Sequence, residues 1–425
     1  MERVDQTRAN ALHRVDSTVQ SSWEDVEKGQ HPHKTDTNET AWRRWMAGPM
    51  RYYASWLFPL SALVGVCSEQ VVEFFASNTA TLGFVWNRLA WTGLSKSIVV
   101  TILAYSGAMF AFGFLPMSDT ILGRDTSPPV EGGADSIAYR IPLYLFVPMH
   151  LALLAIAFYR APALSSFPTR FVGVVLSLGC SGGLAFTAAH ELLHGRRKFD
   201  RFLCGMLLCP LFYMHWANSH LSHHRKVGTP EDPATARFGE SLFHFVPRSV
   251  TGNIRDAIDM ERKRLASKGK SFMHFKNRFF LWMLAPVFLS LGVYHRSGAY
   301  ALVMLFGSAL FSIIMLESVN YIEHYGLERK RLANGKYEPV GQQHSWNADW
   351  IATSAAIFQL QRHSHHHAQA SLPYQALRSI SNAPLLPASY PVMMLTSFCP
   401  PLFFKCMNAR VEHIQKDTEM KPSSQ

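Results

Sequence analysis

Five long stretches of this 425-residue chain carry no Asp, Glu, Lys or Arg: residues 97–117, 141–159, 171–189, 279–294 and 299–316. Within them the only histidine is His150. Each stretch approaches the ~20 residues that cross a hydrocarbon core at ~1.5 Å rise per residue. A sixth apolar run, Tyr52 to Cys67, meets acidic residues only at its far end, at Glu69 and Glu73. Buried helices of a large soluble protein are the competing reading, and five such runs in one chain weigh against it. The expected fold is an all-α membrane protein with six transmembrane helices. Residues 201–217, apolar but short and holding Pro210, read as a re-entrant or interfacial segment. The stretch 384–407 is apolar too, but its five prolines forbid a regular span. It is expected to pack over a site or lie at the interface.

The remainder is polar. Residues 1–50 interleave acidic and basic side chains without an apolar leader, so they read as a cytosolic extension with no cleavable signal peptide. The organisation that follows is an extension over 1–50, a membrane-embedded domain over 51–411 and a polar tail over 412–425. Net charge is +11. Nucleic acid is not the partner this implies, because the basic residues gather near span ends, as in Arg196-Arg197-Lys198 and Arg262-Lys263-Arg264. Such flanks orient membrane proteins with the basic side in the cytosol and attract acidic partners. With six spans, the segments after spans four and six share one face with the N-terminus. Six cysteines form no CxxC pair, which argues against a fused zinc ribbon or a disulfide framework.

The histidines cluster in those two segments. His190-Glu-Leu-Leu-His194 closes the fourth span, and His220-Leu-Ser-His-His224 follows it. His324 closes the sixth span, within Asn320-Tyr-Ile-Glu-His-Tyr-Gly326, and His363-Ser-His-His-His367 repeats the HxxHH spacing. On a helix, histidines four apart share a face, and an adjacent pair widens the fan. HExxH alone is the zinc metalloprotease signature, but such a site needs one further ligand, not seven more clustered histidines. Glu191, Glu231, Asp232 and Glu323 are candidates for orienting ligand imidazoles, with a solvated turn an equal reading for the 231–232 pair. His344 is a further candidate for that supporting layer. His365 is expected outside the ligand set, in the same supporting layer, because three consecutive histidines cannot all reach one metal from a helix. His150, amid apolar neighbours, reads as a packing residue, and His13, His31, His33 and His413 as incidental. Two histidine-rich centres beside apolar helices, without thiolate, suit non-haem iron working on O₂. An iron pair can oxidise an unactivated C–H bond, and the apolar helices can admit a lipid-like chain from the bilayer.

From about Tyr52 to Val411 the chain resembles the membrane alkane monooxygenases, relatives of membrane fatty-acid desaturases. The resemblance is carried by the first box and by His223-His224-Arg-Lys-Val-Gly-Thr-Pro-Glu-Asp-Pro233. It continues through Asn320-Tyr-Ile-Glu-His-Tyr-Gly-Leu327 and Leu360-Gln-Arg-His-Ser-His-His-His367. Smaller echoes are Leu122-Gly-Arg-Asp125, His344-Ser-Trp-Asn347 and Tyr390-Pro-Val-Met393. It implies two non-haem iron ions in a cytosolic cap, held by His190, His194, His220, His223, His224, His324, His363, His366 and His367. It also implies O₂ as co-substrate and hydroxylation of the terminal carbon of an alkane or similar alkyl chain. Electrons would come from rubredoxin, or a similar small carrier, and its reductase. A multi-pass location follows, in a bacterial inner membrane or the endoplasmic reticulum, with both termini and the histidine boxes cytosolic. An acyl desaturase or fatty-acid hydroxylase is the alternative among enzymes. A non-catalytic membrane metal-binding protein is the alternative outside them. Three residues depart from the family pattern: Ser219 and His365 stand where acids are usual, and Gly195 where a lysine commonly follows the first box.

Overall fold

The apolar runs all become helix. The computed structural model describes residues 48–77, 95–125 and 136–420, with side chains to 416. Residues 1–47, which hold nearly all of the expected N-terminal extension, lie outside the described residues. Among the described residues there are helices and three isolated β-bridges but no β-strand.

The first two runs form bent pairs. α1 (Leu57–Val66) and α2 (Ser68–Ser77) meet at 77° across Cys67. α3 (Lys96–Ala104) turns by 60° at Tyr105 into a continuous segment made of α4 (Ser106–Met109), a π-helical stretch (Phe110–Phe114) and α5 (Leu115–Leu122). α6 (Ile137–Leu164) and α7 (Pro168–His194) are unbroken and apolar enough to cross a membrane. The next apolar region is one helical stretch, α11 (Arg278–His324), of 47 residues. At ~1.5 Å per residue that is about 70 Å, more than twice a hydrocarbon core. It is interrupted at Gly298, whose φ of 77° and ψ of −170° are open to glycine and strained for other residues. The break leaves two helices of spanning length.

α7 lies at the centre. It packs on α11, α6, α1 and α3, and 72% of its most apolar window is buried, against 33% for α11. Small residues make this possible. A Cβ on Gly182 would lie 2.1 Å from Ser312 Oγ, so only glycine lets α11 approach this closely.

Between and after these helices come α8 (Lys198–Leu208), α9 (Trp216–Lys226), α10 (Leu242–Ala266), α12 (Ile351–Ala356), α13 (His363–Ala368), α14 (Tyr390–Ser397) and α15 (Pro400–Met420). Residues 201–217 are the end of α8 and a turn into α9. The proline-rich stretch 384–407 is more regular than its composition suggests. Pro391 sits in the first turn of α14, and Pro400 and Pro401 open α15, positions where a missing N–H costs no helical hydrogen bond. α15 runs through the expected boundary at 411, with Val411 fully buried and Ile414 packed on the same core.

Candidate metal centre

α7 and α11 both end on histidine, at His194 and His324. Two short helices, α9 and α13, lie over these ends and bring the remaining imidazoles. Helical geometry then sorts nine rings into two groups. His190 and His194, four apart, join His220 and His224, also four apart, and His366. His363 and His367, four apart, join His223 and His324. Each HxxHH box therefore gives its outer pair to one group and its middle histidine to the other. Adjacent residues diverge by ~100° around a helix, so the doublets His223-His224 and His366-His367 straddle the groups. Within each group, one ring nitrogen from every histidine lies within 4.8 Å of those from all the others.

The rings face inward through Nε2. His194 and His224 approach His220 Nε2 at 3.2 and 3.0 Å, and His366 approaches His224 Nε2 at 3.2 Å. In the other group His363 Nε2 lies 3.2 Å from His324 Nε2 and 2.9 Å from His367 Nε2. The buried Nε2 of His190 has no hydrogen-bond partner. A neutral imidazole carries one N–H, so nitrogens this crowded cannot all be paired by protons. Burial, and then mutual repulsion among the rings, hold His220, His224, His363, His366 and His367 well below the usual imidazole range. Held uncharged, His220, His224 and His366 can turn lone pairs into one group, and His363 and His367 into the other. Buried, convergent and neutral nitrogens fit metal cations, and five of them in one group exceed what a tetrahedral zinc uses.

Carboxylates stand behind or beside the rings. Asp232 Oδ2 lies 2.7 Å from His223 Nδ1 and accepts from Thr235 Oγ1 at 2.6 Å. Burial would raise the Asp232 carboxyl, but attraction to and a hydrogen bond from His223, with the Thr235 hydroxyl, bring it below its ordinary value. Its neighbour Glu231 is exposed, so the bracket of two prolines turns one acid inward and the other out. Glu191 Oε1 sits 3.1 Å from His190 Nδ1. Glu323 does more than buttress. Its Oε2 is 3.2 Å from His363 Nε2, the nitrogen that faces His324 and His367, while Oε1 accepts the Tyr390 hydroxyl at 2.9 Å. The sequence gives no chemical role to Tyr390. It arrives because α14 packs over the site.

The other expected supporting residues lie differently. His344 is buried, but its ring meets Glu338 and the Gly341 amide; its backbone oxygen, not its imidazole, approaches His324 Nδ1 at 3.4 Å. His365 accepts the Arg378 amide at 3.0 Å and belongs to neither group. Ser219 is buried and donates to the Trp216 carbonyl. Gly195 has no room for a side chain, because a Cβ there would lie 2.3 Å from Asp200 Oδ2. Sequence reasoning also missed a buried acid, Glu317, which accepts from Tyr213 at 2.9 Å and from Asn320 at 3.2 Å. An acid one helical turn before Asn320 was the available signal. His150 pairs with Ser181 at 2.9 Å and stacks on Phe146, away from both groups.

A cavity opens between the helices beside the histidines. His190, His220, His223, His363 and Glu323 border it at one end. Its walls run along α7 through Thr187 to Gly183 and along α11 through Asn320 to Met315, with Phe58 and Phe112 from neighbouring helices. Apart from the metal-facing end it is lined mainly by apolar side chains.

Comparison with known proteins agrees with this geometry. The family model for fatty acid desaturases matches residues 165–397. The alkane 1-monooxygenase of Acinetobacter baylyi is 36% identical over 339 residues, 77% of this chain and 82% of the relative. Alkane 1-monooxygenase 1 of Alcanivorax borkumensis is 38% identical over 305 residues, 71% and 76% of the two chains. This chain belongs to the alkane 1-monooxygenase family. The xylene/toluene monooxygenase hydroxylase component XylM of Pseudomonas putida is more distant, 27% identical over 243 residues, 56% of this chain and 64% of the relative. Family membership and the apolar helices make the protein an integral membrane oxidoreductase of the oxygen-dependent type.

Proposed function

We propose that the chain is a six-span di-iron monooxygenase that hydroxylates the terminal carbon of alkanes or similar alkyl chains. The observation that carries this reading is two contiguous histidine groups at the end of an apolar cavity. His190, His194, His220, His224 and His366 would hold one iron, and His223, His324, His363 and His367 the other, with Glu323 beside His363. When bound, the pair supplies two-electron reduction and cleavage of O₂. The protein's own part is positional. Asp232 and Glu191 fix the tautomer of His223 and His190 by accepting hydrogen bonds from their outer Nδ1–H groups, which leaves the inner Nε2 lone pairs free. Tyr390 anchors the Glu323 carboxylate. The cavity aligns a chain end-on with the histidines and keeps water away from the reacting carbon.

The six spans are α1–α2, α3 through α5, α6, α7 and the two parts of α11. That count puts both histidine-bearing ends and both termini on one face, the cytosolic one by the basic flanks, in a bacterial inner membrane or the endoplasmic reticulum. Residues 51–411 form the catalytic domain in this reading, flanked by polar extensions over 1–50 and 412–425. Electrons would come from rubredoxin or a similar acidic carrier with its reductase, docked on that basic face.

The desaturase family match makes an acyl desaturase the rival reading. Product analysis under ¹⁸O₂ separates the two. The monooxygenase yields a primary alcohol carrying the label, and an unlabelled alkene or acyl double bond as the sole product contradicts it. Metal without O₂ turnover, when carrier and reductase are supplied, would instead mark a non-catalytic metal-binding protein.

The cavity makes a further expectation. A Cβ on Gly183 would lie 3.0 Å from Met315 Sδ and Cε, so a large side chain there fills the far end. Gly183→Leu should shift preference toward shorter chains, each methylene that no longer fits costing about 1–3 kcal/mol. Competition between alkanes of graded length reads the shift, and an unchanged profile removes this wall from the account.

A further inference from the structure

The third histidine box is reached through a strained turn. Phe358 and Gln359, immediately upstream, both adopt left-handed backbone, with φ of 52° and 59°. Two consecutive left-handed residues, one of them bulky, persist only where surrounding contacts over-determine them. Here the contacts come from distant parts of the chain. Gln359 Nε2 donates to the Tyr52 hydroxyl at 3.0 Å, and the same hydroxyl accepts from Arg51 Nη2 at 2.7 Å. Arg51 Nη1 reaches Asp125 Oδ2 at 2.8 Å. Asp125 in turn meets Arg362, the residue before His363, through both its carboxylate and its backbone oxygen at 3.3 Å. Arg362 Nη1 is anchored to the Leu377 carbonyl at 2.7 Å. Tyr52, Asp125, Gln359 and Arg362 are all buried, so these bonds form out of water, where losing a partner is most costly. Downstream, Asn347 closes the start of α13 by bonding Ser364 twice, through its amide nitrogen at 2.7 Å and its oxygen at 2.8 Å.

We propose that Tyr52, Arg51 and Asp125 are positioning residues for the third box, holding the left-handed pair and the Arg362 side chain so that α13 presents its histidines to both metal groups. The consequence rests on the di-iron reading above, because α13 alone gives His366 to one group and His363 and His367 to the other. A shift of this one short helix therefore disturbs both groups together. None of the described hydrogen bonds or ion pairs of the three joins a histidine of either group; they act through the turn.

Amide hydrogen exchange on the full chain in lipid nanodiscs tests this, with and without chelator. Tyr52→Phe should speed exchange over residues 357–368 about tenfold, the effect of one lost buried hydrogen bond, and should hasten metal loss to chelator. Asp125→Asn should do the same. Position 359 separates holding from mere bonding. Gln359→Ala keeps the strain and removes the hold, so it should exchange as fast as Tyr52→Phe. Gln359→Gly also removes the strain at that position, leaving only Phe358 left-handed and bulky, because glycine adopts left-handed backbone freely. It should stay near the wild-type rate, and adding Tyr52→Phe should change it no further. Wild-type exchange in Tyr52→Phe, or equal loosening by Ala and Gly at 359, overturns the proposal. A wild-type protein without iron would defeat the di-iron reading but leave the exchange result to decide this one.

Discussion

His363→Ala is expected to empty one histidine group while leaving the other filled. His363 belongs to the four-membered group, and its removal leaves His223, His324 and His367. It also takes away the ring whose Nε2 faces Glu323 Oε2 and both His324 and His367. Metal content should fall to that of the five-histidine group alone. Turnover should drop by more than about 100-fold, beyond the 10–100-fold typical of losing a supporting partner, because a direct ligand is gone. His366→Ala should lose less metal, since four histidines remain in its group. Metal analysis of the two purified variants against wild type gives the ranking. Equal metal content in all three would mean that these rings are not ligands.

The second large effect concerns a carboxylate that need not touch metal. Asp232→Asn should weaken metal binding about 10–100-fold. The asparagine amide can accept from His223 Nδ1 through its oxygen, but it no longer offers the charge that favours the proton on that nitrogen. Thr235, which donates to the same oxygen at 2.6 Å, would hold the side chain in place and keep the change local. Glu231→Gln, one residue away but exposed, should bind metal as wild type does. Chelator competition on both variants reads the difference. If the neighbours behaved alike, the contact between Asp232 and His223 would carry no weight in the site.

These two acids show where sequence reasoning stops. Spacing places Glu231 and Asp232 in one stiff loop and treats them equally. Which one faces inward is set by the turn that buries Asp232 against Thr235 and His223, and that depends on tertiary packing. The helices were legible because uncharged runs of spanning length have few other uses, and even the division of α11 has its glycine in the sequence at 298. The grouping of histidines was partly legible. Four-residue spacing gives the pairs, but the exchange of the middle histidine between groups needs α9 and α13 to lie side by side. In the proline-rich 384–407 stretch, composition ruled out a span and led to the expectation of packing over a site, but not the short helices: Pro391, Pro400 and Pro401 sit at helix starts, and α14 carries Tyr390 to Glu323. The clamp on the third box was invisible for a different reason: left-handed backbone at Phe358 and Gln359 leaves no mark in residue types that rarely adopt it.

Iron analysis and Mössbauer spectroscopy on freshly purified protein that turns over an alkane test the central claim most directly. One iron for each of the two histidine groups, with signals that change when substrate and O₂ are added, is the expected result. Active protein holding only zinc, or a single ion per chain, would contradict it.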